Sequence, residues 1–338
     1  MFLFKITNFA IVVLIGCLPL ALQAQDRARQ PFVADYFQQQ ILYNPAFTGD
    51  SEQPTLGLSG RIERRNAQEP YGLNAFFQGT LTQYNIGIGL TAQYHDFDDT
   101  YTYTTNSYPT NKRLLKVGLA SSFQIPMGDF TGLKAGLNIG IIHYKSDEAY
   151  IPWSSTQPTV IYNERFLKPN IDIGLLLSIA KLKVGLSFNQ LNEPKFQFYS
   201  NSPVQQFKRY MVFTAAYKIP VTNWLTIEPT TLQMLSVVNS VGNNGMQPYI
   251  DLGVLLRFKQ RVFLGSHYKF NDDKAAIYGG MAPPKYLFSF AAGVRLGTTQ
   301  ITLNVIPMKK DLYNTTKTNG RIDLSLLFFR NEEAEEEE

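Results

Sequence analysis

From Asn170 to Gln190 the chain reads NIDIGLLLSIAKLKVGLSFNQ, and its apolar residues keep a period of two. Ile171, Ile173, Leu175, Leu177 and Ile179 alternate with Asn170, Asp172, Gly174, Leu176 and Ser178. After Ala180-Lys181, Leu182, Val184, Leu186 and Phe188 alternate with Lys183, Gly185, Ser187 and Asn189. Successive side chains of a strand point to opposite faces, so this pattern predicts two strands joined by a tight turn and excludes a helix. The same alternation returns at Ile86, Ile88 and Leu90 against Gly87, Gly89, Thr91 and Gln93, and again over 133–141 and 250–258. One face is apolar; the other is glycine, hydroxyl, amide and charge. After residue 24 no stretch has the long unbroken apolar run of a spanning helix.

A soluble sandwich alternates in the same way, so length and loop asymmetry must discriminate. The strands run about ten residues, the span of a tilted strand crossing the hydrocarbon. Ala180-Lys181, Lys259-Gln260 and Gly297-Thr298 are short connections, whereas Asp96–Arg113, Ser146–Lys168 and Leu191–Gln205 read as long loops. Outer-membrane barrels combine short periplasmic turns with longer extracellular loops in this manner. Fifteen segments qualify as strands; assigning Lys274–Met281 to an external loop leaves fourteen, the even number a closed bacterial barrel requires. They fall near 55–65, 72–83, 85–95, 114–125, 130–144, 169–180, 182–190, 207–219, 223–237, 248–258, 261–270, 286–296, 299–306 and 320–330. The expected fold is all-β, a transmembrane antiparallel β-barrel of about 14 strands, closed because an open sheet edge in lipid leaves backbone groups unpaired. Tyr94, Tyr144, Trp224, Tyr249, Phe258 and Phe329 lie near strand ends, where interfacial aromatic girdles sit, although aromatics are enriched in strands of every kind.

Composition agrees with a lipid-facing chain more than its mean hydropathy of −0.14 does. Charged residues are 17% and aromatics 13%, with 24 Phe and 19 Tyr, a surface poorly suited to water. Lys5 precedes an apolar run from Phe9 to Leu22, and Leu22-Gln23-Ala24 offers a small-residue cleavage site, so residues 1–24 read as a secretory signal peptide. Leu14-Ile15-Gly16-Cys17 is a rival lipobox, followed by apolar LPLAL where lipoproteins carry a polar tether. Cleavage at Ala24 would leave no cysteine, excluding disulfides and thiol chemistry. The expected division is a periplasmic segment at 25–53, the barrel at 54–330 and an acidic periplasmic tail at 331–338. Removing the six glutamates of that tail would take the formal net charge from +4 to +10; such a block is usually a solvated end, and could also engage a basic partner.

Candidate chemistry is sparse. His95, His143 and His267 are far apart, near predicted extracellular strand ends, and none sits in a metal-spaced pair or nucleophile motif. No catalytic residue, metal, cofactor or nucleic acid is expected. Inward positions carry Arg61, Arg65, Lys116, Lys134, Lys183, Arg257, Arg295 and Arg321 against Glu63, Asp172, Asp251 and Asp323. That excess of bases suits an anion-tolerant pore or a lumen receiving an acidic segment; mutual pairing inside a filled barrel is the plainer reading. Residues 25–53 are long enough to be a plug or a periplasmic docking strip.

Ahead of the first strand, QQQILYNPAFTGD (Gln38 to Asp50) does not alternate and contains Asn44-Pro45. It resembles the N-terminal motif of the PorP/SprF family, outer-membrane proteins of the type IX secretion system of Bacteroidetes. Tyr43, Asn44, Pro45, Ala46 and Gly49 match it, and LTIEPTTL, the stretch Tyr249 to Phe270 and the closing NGRIDLSLLFF are similar to that family's C-terminal half. The segment around Lys274–Lys285 and the acidic tail depart from the pattern. The resemblance implies a role in secretion or surface display: partners would be a secreted adhesin or its C-terminal signal domain, periplasmic secretion and gliding components, and outer-membrane lipids. Tyr43, Asn44, Pro45, Ala46 and Gly49 become candidate partner-binding residues. Arg61, Lys134, Asp172, Asp251, Arg257 and Arg295 become candidate lumen charges. The alternative is a general or anion-favouring diffusion porin, and a lipid-modifying barrel enzyme comes third.

Overall fold

The computed structural model describes residues 36–51, 53–65, 71–103, 106–128, 131–150, 160–196, 205–207, 209–236, 249–259, 261–271, 285–310 and 318–329. The leader at 1–24 with Cys17, residues 25–35, Lys274–Met281 and the tail at 331–338 lie outside them. The strands are β1 (Thr55–Arg65), β2 (Tyr71–Leu81), β3 (Ile86–Tyr103), β4 (Asn106–Gly128), β5 (Thr131–Tyr150), β6 (Val160–Ile179), β7 (Leu182–Asn189), β8 (Lys195–Phe196), β9 (Gln205–Gln206), β10 (Tyr210–Tyr217), β11 (Ile219–Pro220), β12 (Leu225–Ser236), β13 (Tyr249–Phe258), β14 (Val262–Asn271), β15 (Lys285–Leu296), β16 (Thr299–Lys310) and β17 (Thr318–Phe329).

The short β8 and β9 pair only with each other, and β11 is a two-residue piece on β12. The other fourteen strands form one antiparallel ring, in which each pairs with its neighbours in sequence and β17 returns to β1 from Thr55↔Phe329 to Arg65↔Asn319. Closure satisfies the ladder within the sheet, which an apolar solvent demands. The alternation then sorts the faces: Leu119 is 65% exposed while its neighbour Ala120 is 1% exposed. Leu58, Leu90, Ile139, Leu175, Leu252 and Phe290 belong to the same outward apolar band. In water that band would be an aggregation surface; in lipid it is the required coat. Among the described residues no helix is long and apolar enough to cross a membrane.

The short turns lie at one end of the barrel. Ala180 (φ 50°), Lys259 (φ 47°) and Gly297 (φ 57°) take the left-handed conformation that reverses right-twisted strands, although only Gly297 escapes the Cβ penalty. Trp224 and Phe258 stack at 6.2 Å at this end, and the Arg295 guanidinium lies 4.5 Å from the Phe329 ring centre. Tyr71 and Tyr94 pack at 5.6 Å at the other end.

One expectation is corrected. Asp96–Arg113 and Ser146–Lys168 are not simply loops: β3 and β4 stay paired from Asp96↔Arg113 to Tyr103↔Asn106, and β5 and β6 to Tyr150↔Val160. These four strands run 18 to 23 residues, roughly ten beyond what crosses hydrocarbon. Above the lipid no face needs an apolar coat, so the alternation stops although the backbone ladder continues. Beside them β7 is short, and its pairing with β6 begins only at Ile173↔Phe188. Asn192 stands in for the missing strand: its amide donates to the Pro169 carbonyl at 2.7 Å and accepts from Ile171 N at 3.2 Å. Leu191 N adds a bond of 2.9 Å to the Ile171 carbonyl.

Candidate functional site

Residues 36–51 cross the barrel interior as a strap. Its shape follows from local chemistry: Asn44 is extended, its side-chain oxygen accepts from Ala46 N at 2.9 Å, and Pro45 opens the 3-10 turn Pro45–Phe47 with an imino group that has no hydrogen to satisfy. A second 3-10 turn, Gln40–Leu42, precedes it. Gly49 closes the strap at φ +64°. Tyr43 is 4%, Asn44 1% and Ala46 0% exposed, so the motif is enclosed by the barrel.

Three kinds of contact hold it. On the side of β4 to β7 the wall is pared to glycine. A Cβ on Gly136 would overlap the Pro45-Ala46 peptide, one on Gly174 the Asn44 amide, and one on Gly185 would lie 2.9 Å from Asn44 Nδ2. Around this floor the wall donates to strap carbonyls. Ser187 Oγ and Asn189 Nδ2 reach Tyr43 O at 2.8 and 3.1 Å, Ser122 Oγ reaches Thr48 O at 2.7 Å, and Thr80 Oγ1 reaches Gly49 O at 2.8 Å. Asn44 Nδ2 donates in turn to Leu175 O at 3.0 Å. Across the lumen the contacts are apolar and amide: Phe37 stacks on His267 at 5.2 Å and meets Phe263 edge-on at 6.0 Å. Gln38 shares two hydrogen bonds with Thr302, and Gln39 bridges Ser325 and Ser59.

The lumen charges are largely paired. Lys134 Nζ donates to Gly49 O at 3.1 Å and lies 3.4 Å from Asp50 Oδ1, whose other oxygen is bonded to Lys183. Arg257 pairs with Glu228 at 2.7 Å. Asp172 accepts from Lys116 and Asn138 at 2.8 Å, from Asn170 at 2.9 Å and from Gln190 N at 2.8 Å. Asp251 meets His267 Nδ1 at 3.0 Å. Arg61 lies on the lumen face, its Nε 3.4 Å from the position of a Cβ on Gly72. Arg295 is set apart at the rim, donating to Gly297 O at 3.2 Å. The side chains of Glu63, Arg65 and Arg321 are outside those described.

His95 and His267 are buried. His267 pairs in register with Ser289, so serine, histidine and aspartate stand on adjacent strands, yet His267 Nε2 and Ser289 Oγ are both without a hydrogen-bond partner. No hydrogen bond joins the Ser289 hydroxyl to the His267 ring, and Phe37 and Tyr36 pack against that ring. Among the described residues no group of three or more His, Cys, Asp or Glu could hold a metal ion. Two features escaped the sequence reading. Gly136, Gly174 and Gly185 were legible as inward glycines, but not as one floor; Asp50 was legible as an acid next to the motif, but not as the partner of two lysines.

Solved structures share the architecture. The chain resembles the CymD monoaromatic hydrocarbon channel with a TM-score of 0.59 and 10% identity, over 87% of this chain and 92% of that one. It resembles the Ralstonia pickettii toluene transporter TbuX with a TM-score of 0.53 and 9% identity, over 86% and 92%. For a Pseudomonas aeruginosa FadL homologue the values are 0.52 and 10%, over 84% and 92%. At such identities the likeness concerns the fold. No curated relative matches by sequence. The family model described as type IX secretion system membrane protein PorP/SprF matches residues 25–304, both strap and barrel, and the chain therefore belongs to that family as an outer-membrane β-barrel.

Proposed function

We propose that this barrel is a non-enzymatic component of the type IX secretion and gliding machinery that anchors a secreted surface adhesin, through its C-terminal signal domain, and contacts periplasmic parts of the machinery. The observation that carries this reading over a diffusion porin is the filled interior: the strap spans the lumen, Lys116 and Arg257 are paired with Asp172 and Glu228, and Lys134 and Lys183 share Asp50. A porin needs a hydrated path and uncompensated lining charge to favour anions. The tall β3–β6 wall supports the adaptor reading further, since it offers a partner a surface beyond the membrane on the side away from the short turns. In this reading Tyr43, Asn44, Pro45, Ala46 and Gly49 keep the lumen closed when no partner is engaged.

Two measurements test the proposal. Affinity purification from native membranes, followed by mass spectrometry, should recover an exported surface protein with the full chain. Replacing residues 97–111 by a two-residue turn should leave membrane insertion intact and abolish that recovery. Unchanged recovery would reject the role of the tall wall. In planar bilayers the full chain should be silent, and a steady anion-favouring conductance would favour the porin instead.

A further inference from the structure

We propose that the lumen is a peptide groove which the strap occupies in cis, and that a segment of an exported protein able to take the same turns, bearing apolar side chains and a side-chain carboxylate, takes the same seat in trans. The proposal rests on the adaptor reading for the identity of the partner, and on the geometry of the lumen for everything else. The strap contributes no strand to the ring, so its departure leaves every pairing of the barrel wall in place. Much of its fixation is read from its main chain: Ser187, Asn189, Ser122, Thr80 and Lys134 all donate to strap carbonyls, which any peptide that turns at the same two places also presents. Gly136 lets a backbone lie directly on the wall, and Gly174 and Gly185 leave room there for a short amide side chain such as that of Asn44. Main-chain bonding for affinity with a few side-chain pockets for selectivity is how extended peptides are recognised elsewhere.

The selective element is the pair of lysines. Lys134 on β5 and Lys183 on β7 converge on one carboxylate, that of Asp50, immediately after the stretch whose carbonyls are read. Apolar side chains of the strap sink into further pockets: Phe37 between Phe263 and His267, and Ile41 and Leu42 in the same buried cluster as Phe76 and Val212. The strap is thus a self-ligand that competes with the incoming segment, and a partner gains the groove by matching the carboxylate and the apolar residues upstream of it.

A fluorescent peptide copying residues 36–51 is the probe, added to the purified full chain in detergent. With wild type, capture should be weak because the groove is occupied. With Asn44→Ala/Asp50→Asn, which loosens the strap and leaves the wall untouched, apparent affinity should rise at least tenfold. Placing Lys134→Gln/Lys183→Gln on that background, or using a peptide with Asp50→Asn, should each remove the gain while the barrel keeps its folded, heat-modifiable gel mobility. An oxidised Asn44→Cys/Gly174→Cys chain should refuse the peptide until reduced, since a Cβ on Gly174 would lie 2.9 Å from Asn44 Cγ, within disulfide reach. Equal capture by wild-type and loosened chains, no capture by either, indifference to the carboxylate, or capture with the disulfide closed would each overturn the groove. This exchange needs no exported partner, so its failure is distinguishable from failure of the affinity purification.

Discussion

Asp172 shows how much one inward carboxylate can organise. Its four hydrogen bonds tie β4, β5 and β6 to Gln190, where the chain leaves β7. Removing one member of a buried ion pair strands the other, at about 3–5 kcal/mol, whereas replacing both by apolar groups is often nearly neutral. Asp172→Leu should therefore lower the urea midpoint of the detergent-folded barrel sharply, and Lys116→Met added to it should recover only the part due to the stranded ammonium, since Asn138, Asn170 and Gln190 N lose their acceptor too. That both residues face inward was legible from their alternation with Ile171, Ile173, Leu115 and Val117. Their pairing was not, because they are 56 residues apart in sequence and meet only when β5 lies between their strands. The Asn192 side chain offers a second local test. Asn192→Ala removes both bonds to the β6 edge, at about 1 kcal/mol each, and should speed amide exchange at Ile171 and Leu191 without altering the barrel's mobility on gels.

The strand boundaries were legible where one face of a strand meets lipid, and they failed where it does not. β7, β13 and β14 follow the apolar alternation almost residue for residue, because a one-residue slip would turn every apolar side chain into the lumen. β3 to β6 continue well past it on backbone pairing alone. The strap was legible only as a segment that does not alternate. Its seat depends on glycines from three strands that no local pattern connects. Gly136→Val should expel the Pro45-Ala46 turn, because the added Cβ meets strap backbone that cannot yield as a flexible side chain would. Assembled protein with raised bilayer conductance is the expected outcome. Gly297→Ala, at an exposed turn with nothing near its Cβ position, should cost only about 1 kcal/mol of left-handed strain and leave conductance unchanged.

For the molecule as a whole, the outer surface and the interior follow opposite rules. Large apolar side chains such as Leu119, Leu167 and Leu296 are exposed, and Asp172, Asn304 and Ser325 are buried, the reverse of a soluble protein. The chain should accordingly aggregate when detergent is diluted away and remain dispersed when it is exchanged for lipid, as sedimentation would show. Deleting residues 36–50 should leave the ring of fourteen strands closed, with folded gel mobility retained, and should convert a silent barrel into a conducting one. Loss of the barrel on deletion would mean that the strap is needed for assembly rather than only for occupancy.

The periodicity of the chain determined its solvent and which face each residue takes, because these depend on a two-residue repeat and on the thickness of a bilayer, both readable locally; the strand number needed the parity of a closed barrel as well. Only the tertiary structure decided that the Asn-Pro-Ala turn lies within the ring, that inward glycines from separate strands make its floor, and that Asp50 joins Lys134 to Lys183. Those contacts bring together residues roughly 80 to 140 positions apart, and barrel closure rather than local pattern fixes such distances.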